Sequence, residues 1–322
     1  MSIILNTLLA PVSFLYKTIS LLAWHHKRRH ARIFPGLFII SVDNLTFGGS
    51  GKTTLVRHLG TRLQQNQIPF AIVSRGYKSA VKHGCREIFP EDEVRLAGDE
   101  ALLLRQQFPQ TPVFIGPDRI ASLEHLAQGP RRVVLLDDGF QSAHIRKDLS
   151  LLLITPEKPA YFHRNFAFMA RRCDYALTFQ PDTLPFETHP PAPARYRFRH
   201  QGLYNLAGQQ VKPAQTPLVI FSALGDNRRF ARDMASYCVK EVHAFADHHF
   251  FTPEDIDKIK ASMQRHGAAY GVCTRKDFVK LPPEVQSDPT FLYAENTIEL
   301  NFDLFSSLLT TERFRDHTAP SS

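Results

Sequence analysis

Ser41-Val-Asp-Asn-Leu-Thr-Phe-Gly-Gly-Ser-Gly-Lys-Thr-Thr54 is the stretch on which the fold turns. It follows the apolar run Leu37–Val42 and precedes a helical pattern that reaches about Gln64. A glycine-rich turn between a buried strand and a helix lets backbone N–H groups converge on phosphate oxygens, and the helix N-terminus adds a favourable dipole. The spacing assigns Lys52 to the β- and γ-phosphates and the Thr53 hydroxyl to Mg²⁺. Thr46 stands where the strict phosphate-loop pattern opens with glycine, and Gly48, Gly49 and Gly51 supply the flexibility in its place. The expected nucleotide-binding set is therefore Thr46, Gly48, Gly49, Ser50, Gly51, Lys52, Thr53 and Thr54.

Outward from this loop, short apolar runs alternate with helical stretches. Strands are expected at 37–42, 70–73, 113–115, 133–136, 149–154 and 175–179, with helices near 98–107 and 118–127 between them. Uniformly apolar strands separated by helices imply a parallel sheet covered on both faces, whose ligands bind at the strands' carboxyl ends. The run Val133-Val-Leu-Leu-Asp-Asp138 ends such a strand with Asp137 and Asp138, the arrangement in which carboxylates order a Mg²⁺ shell. Prolines crowd positions 181–193, and beyond them strands at 218–222, 241–245 and 270–274 alternate with helices at 228–237 and 253–265. The expected architecture is an α/β, phosphate-loop NTPase-type, doubly wound parallel sheet with a second, smaller α/β domain and an N-terminal amphipathic membrane helix. The boundaries fall at 1–34, 35–185 and 186–322, with a frayed tail from about Thr310.

Residues 2–24 are strongly apolar, and the basic run His25-His-Lys-Arg-Arg-His30 follows at once. Pro11 and Lys17 keep any uncharged stretch below the ~18–20 residues that a spanning helix needs. A secretory signal would carry its positive charge before the apolar run. The pattern fits an in-plane anchor with Trp24 at headgroup depth and the cations on anionic lipid, and the alternative is a helix packed on the protein's own core. The excess of 39 Lys and Arg over 31 Asp and Glu gives a net charge of +8, which favours acidic partners. The basic residues cluster beside the apolar segment, so that charge does not read as nucleic-acid binding. Cys85, Cys173, Cys238 and Cys273 form no CxxC pair, so neither a disulfide framework nor a zinc site is expected.

Several segments together resemble the tetraacyldisaccharide 4′-kinase family. They are Asn44-Leu-Thr-Phe-Gly-Gly-Ser-Gly-Lys-Thr53, Ser74-Arg-Gly-Tyr77, Gly98-Asp-Glu100, Asp118-Arg119, Asp137-Asp-Gly-Phe-Gln141 and Arg146-Lys-Asp-Leu149. Phe245-Ala-Asp-His-His-Phe-Phe-Thr-Pro-Glu-Asp255 and Thr274-Arg-Lys-Asp277 complete the set. The resemblance implies ATP- and Mg²⁺-dependent phosphorylation of the 4′-hydroxyl of a membrane-embedded glycolipid, a tetraacyldisaccharide 1-phosphate, in lipid A biosynthesis. It implies peripheral association with the cytoplasmic face of the bacterial inner membrane and no obligate protein partner. Asp99 matches the family's catalytic acid and His248 its supporting histidine, while Arg119 and Arg75 are the candidate neutralisers of phosphate charge. Four departures stand out. Thr54 replaces a usual Pro, Ser142 a common His and Arg275 a usual Glu, and no Leu-Arg-Glu-Pro stretch stands near 160–170. Two alternatives stay open: a phosphate-loop GTPase or ATPase acting on a protein partner, and a transfer-inactive, membrane-docked nucleotide-binding protein.

Overall fold

The computed structural model describes residues 26–44, 51–139, 142–154, 173–178, 194–301, 303–309 and 314. The apolar segment 2–24, the loop residues Thr46, Gly48, Gly49 and Ser50, the stretch 160–170 and the proline-rich stretch 181–193 lie outside the described residues. In chain order the first half carries β1 (Leu37–Asn44), α1 (Lys52–Gln65), β2 (Phe70–Ser74), β3 (Arg86–Ile88), α2 (Val94–Ala97) and α3 (Asp99–Gln107). It continues with β4 (Val113–Ile115), α4 (Arg119–Ala127), β5 (Arg132–Asp137), β6 (Leu149–Ile154) and β7 (Tyr175–Thr178). The second half carries β8 (Ala194–Tyr204), β9 (Gln210–Val211), β10 (Leu218–Ser222), α5 (Asn227–Asp233), β11 (Val239–Ala244) and α6 (Pro253–His266). After it come β12 (Tyr270–Thr274), α7 (Arg275–Phe278), α8 (Pro283–Gln286), β13 (Phe291–Leu300) and α9 (Leu304–Leu309).

All these strands belong to one sheet, in the order β11-β10-β12-β13-β8-β7-β6-β1-β5-β2-β4-β3, with β9 added on β8. β1 lies between β5 and β6, parallel to both, as a doubly wound sheet requires. Every residue of β1 is buried, and the two-residue side-chain period sends alternate residues to opposite faces. Phe38, Ile40 and Val42 pack with Leu55, Val56, Leu59 and Leu63 of α1. Leu37 and Ile39 pack on the other face with Leu123 and Leu126 of α4. The second half repeats the device: Val219 and Phe221 of β10 meet Ile256, Ile259 and Met263 of α6, whereas Leu218 and Ile220 meet Phe230 of α5. Each such fully buried Leu, Ile, Val or Phe stabilises by about 1.5–3 kcal/mol over its exposed state.

Two long strands join the halves. β8 continues the first half's sheet through Leu177↔Ala194 and Thr178↔Arg195, and runs antiparallel to β13 from Tyr196↔Leu300 to Tyr204↔Tyr293. Tyr196 and Ile298 are buried in the first half's core, while Phe291 and Tyr293 are buried in the second's. Neither strand is in the sequence expectation, nor is the edge strand β3, which is antiparallel to β4. Phe314, which lies in the tail expected to fray, is fully buried with its ring 5.0 Å from that of Phe38. An aromatic ring that finds a core pocket outweighs the polar composition around it. Among the described residues no helix is long and apolar enough to cross a membrane.

Candidate active site

The carboxyl ends of β1, β2 and β5 meet the N-termini of α1 and α3, and the chemistry-bearing residues gather there. α1 opens at Gly51, whose φ of 89° lies in the left-handed region that glycine adopts without strain. A Cβ at that position would sit 2.3 Å from Cζ of Phe198, so the turn requires glycine on two counts. Among the described residues no side chain caps α1, and its first turn carries no acidic residue of its own, so its leading N–H groups are open to an anionic ligand. Lys52 donates to the Asn44 side chain at 3.0 Å, folding its ammonium back over the end of β1. The Thr53 hydroxyl donates to Oε2 of Glu100 at 2.8 Å, a partner that the sequence reading does not assign.

Asp137 closes β5 with only 4% exposure, and its Oδ2 accepts from the Ser74 hydroxyl at 3.3 Å. Its Oδ1 is buried and has no hydrogen-bond partner among the described residues. Burial pushes this carboxyl up to about 7, with the neighbouring Glu100 and Asp138 charges adding to the rise and Lys52 and Arg119 opposing it. Asp138 adopts φ 57°, and its N–H is held by the Val42 carbonyl at 2.9 Å. Arg119 is buried, and it donates to the Asp138 carbonyl at 2.6 Å and to the Ser142 hydroxyl at 2.7 Å. Arg119 thus fixes the turn after β5, and Ser142, one of the departures from the family pattern, is its second acceptor. Arg75 is exposed. Among the described residues no group of three or more His, Cys, Asp or Glu side chains is arranged to hold a metal ion by itself. Asp137 with its orphaned oxygen nevertheless suits a hard cation that also takes oxygens from a bound phosphate chain.

The acceptor side is built by α3. Gly98, at φ 83°, approaches the Tyr77 carbonyl so closely that a Cβ would lie 2.9 Å from it, and this contact sets Asp99 at the first position of α3. Asp99 Oδ1 accepts from the Glu100 N–H at 2.9 Å, and Oδ2 lies 2.7 Å from Nδ1 of His248. His248 comes from the other half, after β11, with φ 60° and its N–H on the Ala223 carbonyl at 3.1 Å. Lys276 of α7 also crosses the seam, with Nζ 2.7 Å from Glu100 Oε1 and 3.7 Å from Asp99 Oδ2. Burial alone would raise the Asp99 carboxyl, but the His248 hydrogen bond and the Lys276 charge win and hold it below the usual carboxylate range. Burial likewise works against the Lys276 charge, yet Glu100 and Asp99 hold its ammonium above the ordinary lysine range. Asp99 is therefore ionised at neutral pH, which makes Nδ1 of His248 the donor in their hydrogen bond.

The neighbouring histidine goes elsewhere. His249 pairs with Asp255 at 2.7 Å and stacks on Phe245, within the reciprocal Thr252–Asp255 box that starts α6. The two adjacent histidines thus part, His248 toward Asp99 and His249 toward the start of α6. Asp277 is fully buried, ion-paired with Lys280 at 2.6 Å and accepting from the Thr274 hydroxyl at 2.7 Å. Its carboxylate therefore serves the interior of the second half. The four cysteines are free thiols.

The sequence model of the Tetraacyldisaccharide-1-P 4′-kinase family matches residues 5–313. A Brucella suis protein named tetraacyldisaccharide 4′-kinase is 30% identical over 319 residues, covering 93% of this chain and 89% of its own. A Legionella pneumophila protein of the same name is 27% identical over 290 residues, with coverages of 86% and 84%. Among solved structures, an Aquifex aeolicus crystal structure described as "apo"-form LpxK in complex with ATP superimposes with a TM-score of 0.76 at 27% identity, covering 94% of this chain and 97% of that one.

Proposed function

The chain belongs to the tetraacyldisaccharide-1-P 4′-kinase family, and on that premise we propose that it transfers the γ-phosphate of ATP to the 4′-hydroxyl of a tetraacyldisaccharide 1-phosphate. The observation that carries the reading is the pairing of Asp99 with His248 at 2.7 Å across the seam, one residue from the glutamate that holds Thr53 of the phosphate-loop helix. An acceptor-activating carboxylate and a nucleotide cradle are thereby neighbours.

Asp99 accepts the hydrogen bond of the 4′-hydroxyl and takes its proton as the new O–P bond forms and the bond from the γ-phosphorus to the bridging oxygen breaks, releasing ADP. A carboxylate held below its usual range is a weak base, so the proton moves late. This suits a loose phosphoryl-transfer transition state, in which positioning outweighs base strength. His248 fixes the direction of the carboxylate by donating from Nδ1. Lys52 supplies positive charge to the phosphate chain. Asp137 and Asp138, with Thr53, are the residues that would hold Mg²⁺, which when bound neutralises charge on the phosphate oxygens.

The apolar segment 2–24 and the basic run behind it support docking on anionic lipid at the cytoplasmic face of the inner membrane, where a four-chain glycolipid would be presented. Incubation of purified protein with Mg²⁺-ATP and tetraacyldisaccharide 1-phosphate, followed by mass spectrometry and phosphorus NMR, should give product phosphorylated at the 4′ position. No product from folded protein that binds ATP would sink the proposal.

A further inference from the structure

α7 is a single turn, yet its three charged residues leave in three directions. Arg275 pairs with Glu295 of β13, which also takes Arg57 of α1 at 2.8 Å. Asp277 stays inside the second half, on Lys280, the Thr274 hydroxyl and the Ala223 N–H. Lys276 alone among these three reaches the acceptor carboxylate, with Glu100 and Asp99 as its partners. The helix is anchored without it, because Thr274 caps α7 and Asp277 and Phe278 are buried. Removing the Lys276 ammonium therefore leaves its platform standing.

That platform also carries His248. Asp277 accepts from the Ala223 N–H at 3.1 Å, and the Ala223 carbonyl accepts from the His248 N–H at 3.1 Å. One buried carboxylate thus fixes both groups that the second half sends to Asp99. Lys276 has a further reach that His248 lacks. Through Glu100 it touches Thr53, so a single ammonium connects the acceptor carboxylate with the first turn of the phosphate-loop helix. Asp99 and Glu100 are adjacent acids at the start of α3, and without a cation between them their repulsion would turn the base away from its position.

We propose that Lys276 is a positioning residue of the transfer reaction: bridging Asp99 and Glu100 from the opposite half, it holds the acceptor base in register with the nucleotide site. The inference rests on the kinase reading above. Lys276→Met should lower kcat by roughly 10- to 100-fold, a part of the ~10²–10⁴-fold that a positioned acid or base contributes. Its Kd for ATP should change less than about threefold, because no phosphate contact is removed. Lys276→Arg should recover part of the loss by restoring the cation. Arg275→Met, which removes the neighbouring pair with Glu295, should keep kcat within about threefold of wild type even where it lowers Tm.

The deciding measurement is a double-mutant cycle with Asp99→Asn. A residue acting through Asp99 costs little once Asp99 is gone, so the double variant should turn over no more than about threefold slower than Asp99→Asn alone. A merely structural lysine would give additive losses. Additive losses, or a Lys276→Met enzyme with kcat within threefold of wild type, overturn the proposal. If Lys276→Met does not fold, the same cycle with Lys276→Gln decides on the same criteria. Wild-type protein that forms no 4′-phosphorylated product strikes the kinase reading, whereas active wild type with unimpaired Lys276 variants strikes this inference alone.

Discussion

Gly51→Ala tests whether the phosphate loop is held from below by the second half of the sheet. The added Cβ would stand 2.3 Å from Cζ and 2.7 Å from Cε1 of Phe198, against the ~3.5–4.0 Å of an ordinary carbon contact. The ring must therefore retreat by more than 1 Å, by that difference, and its surroundings resist. Arg229 stacks with its guanidinium carbon 3.8 Å from the ring centroid, and Tyr196 packs edge-on at 5.7 Å. Overpacking of this kind costs about 1–3 kcal/mol. Alanine at φ 89° adds about 1–2 kcal/mol of left-handed backbone strain. The expected loss is thus about 2–5 kcal/mol, divided between global stability and the shape of the loop. Urea unfolding with and without ATP measures both parts. The second variant, Phe198→Ala, separates the terms: combined with Gly51→Ala it should relieve the packing cost and leave the backbone cost. A Gly51→Ala protein within about 0.5 kcal/mol of wild type that binds ATP normally would refute the reasoning, since an unstrained surface change lies within that range.

Other perturbations address the remaining parts of the site. His248→Asn keeps a residue that tolerates φ 60° while removing the imidazole. Loss of its charge-assisted hydrogen bond, worth about 1.5–3 kcal/mol, should lower kcat/KM by about tenfold or more. The sign of the pH effect follows from Asp99 being held low. The carboxylate form is favoured above the ordinary carboxylate range and lost as pH falls through the depressed value, so removing His248 should move the acid limb of kcat/KM to higher pH. An unmoved limb would remove His248 from this role. Chelation of divalent cations should weaken ATP binding by about tenfold or more, because the phosphates would otherwise face Asp137 and Glu100 uncompensated; equal affinity in EDTA would argue that no cation bridges them. Deleting residues 2–30 should weaken partitioning onto anionic vesicles and leave ATP affinity intact, and unchanged partitioning would reject the anchor.

The parts legible in the sequence are those governed by local rules. Buried parallel strands such as Val133–Asp137 declare themselves by continuous apolar runs, and Gly51-Lys-Thr53 by its place between strand and helix. The pair β8–β13 is less legible, although Arg195-Tyr-Arg-Phe-Arg-His200 alternates with period two and Tyr196 and Phe198 turn inward from their exposed arginine neighbours. Its strand character depends on partners about a hundred residues away, such as Glu299, which pairs with Arg197 and Arg199 at 2.7 and 2.6 Å. Glu100 and Lys276 are illegible as a pair for the same reason. Each sits beside a residue that motif reading singles out, but their value lies in meeting each other across the seam, and no local pattern encodes a contact between residues 176 positions apart.

Charge explains why the seam matters. The chain carries a net +8, yet its candidate site concentrates carboxylates: Asp99, Glu100, Asp137 and Asp138 surround the start of α1 and α3. The net charge is therefore not gathered at this site, and the basic residues of 26–32 are exposed to solvent. Cationic help for the site comes instead from single residues at fixed positions. Lys52 arrives with the phosphate loop, Arg119 with the start of α4, and Lys276 only with the second half. A base exposed to that much like charge would gain protons or swing away if its partners were absent. Because both of the second half's contributions hang on Asp277, the acceptor carboxylate is properly held only when the two hydrophobic cores stand in their joined arrangement. The long strands β8 and β13, each buried partly in one core and partly in the other, fix that arrangement in a single sheet.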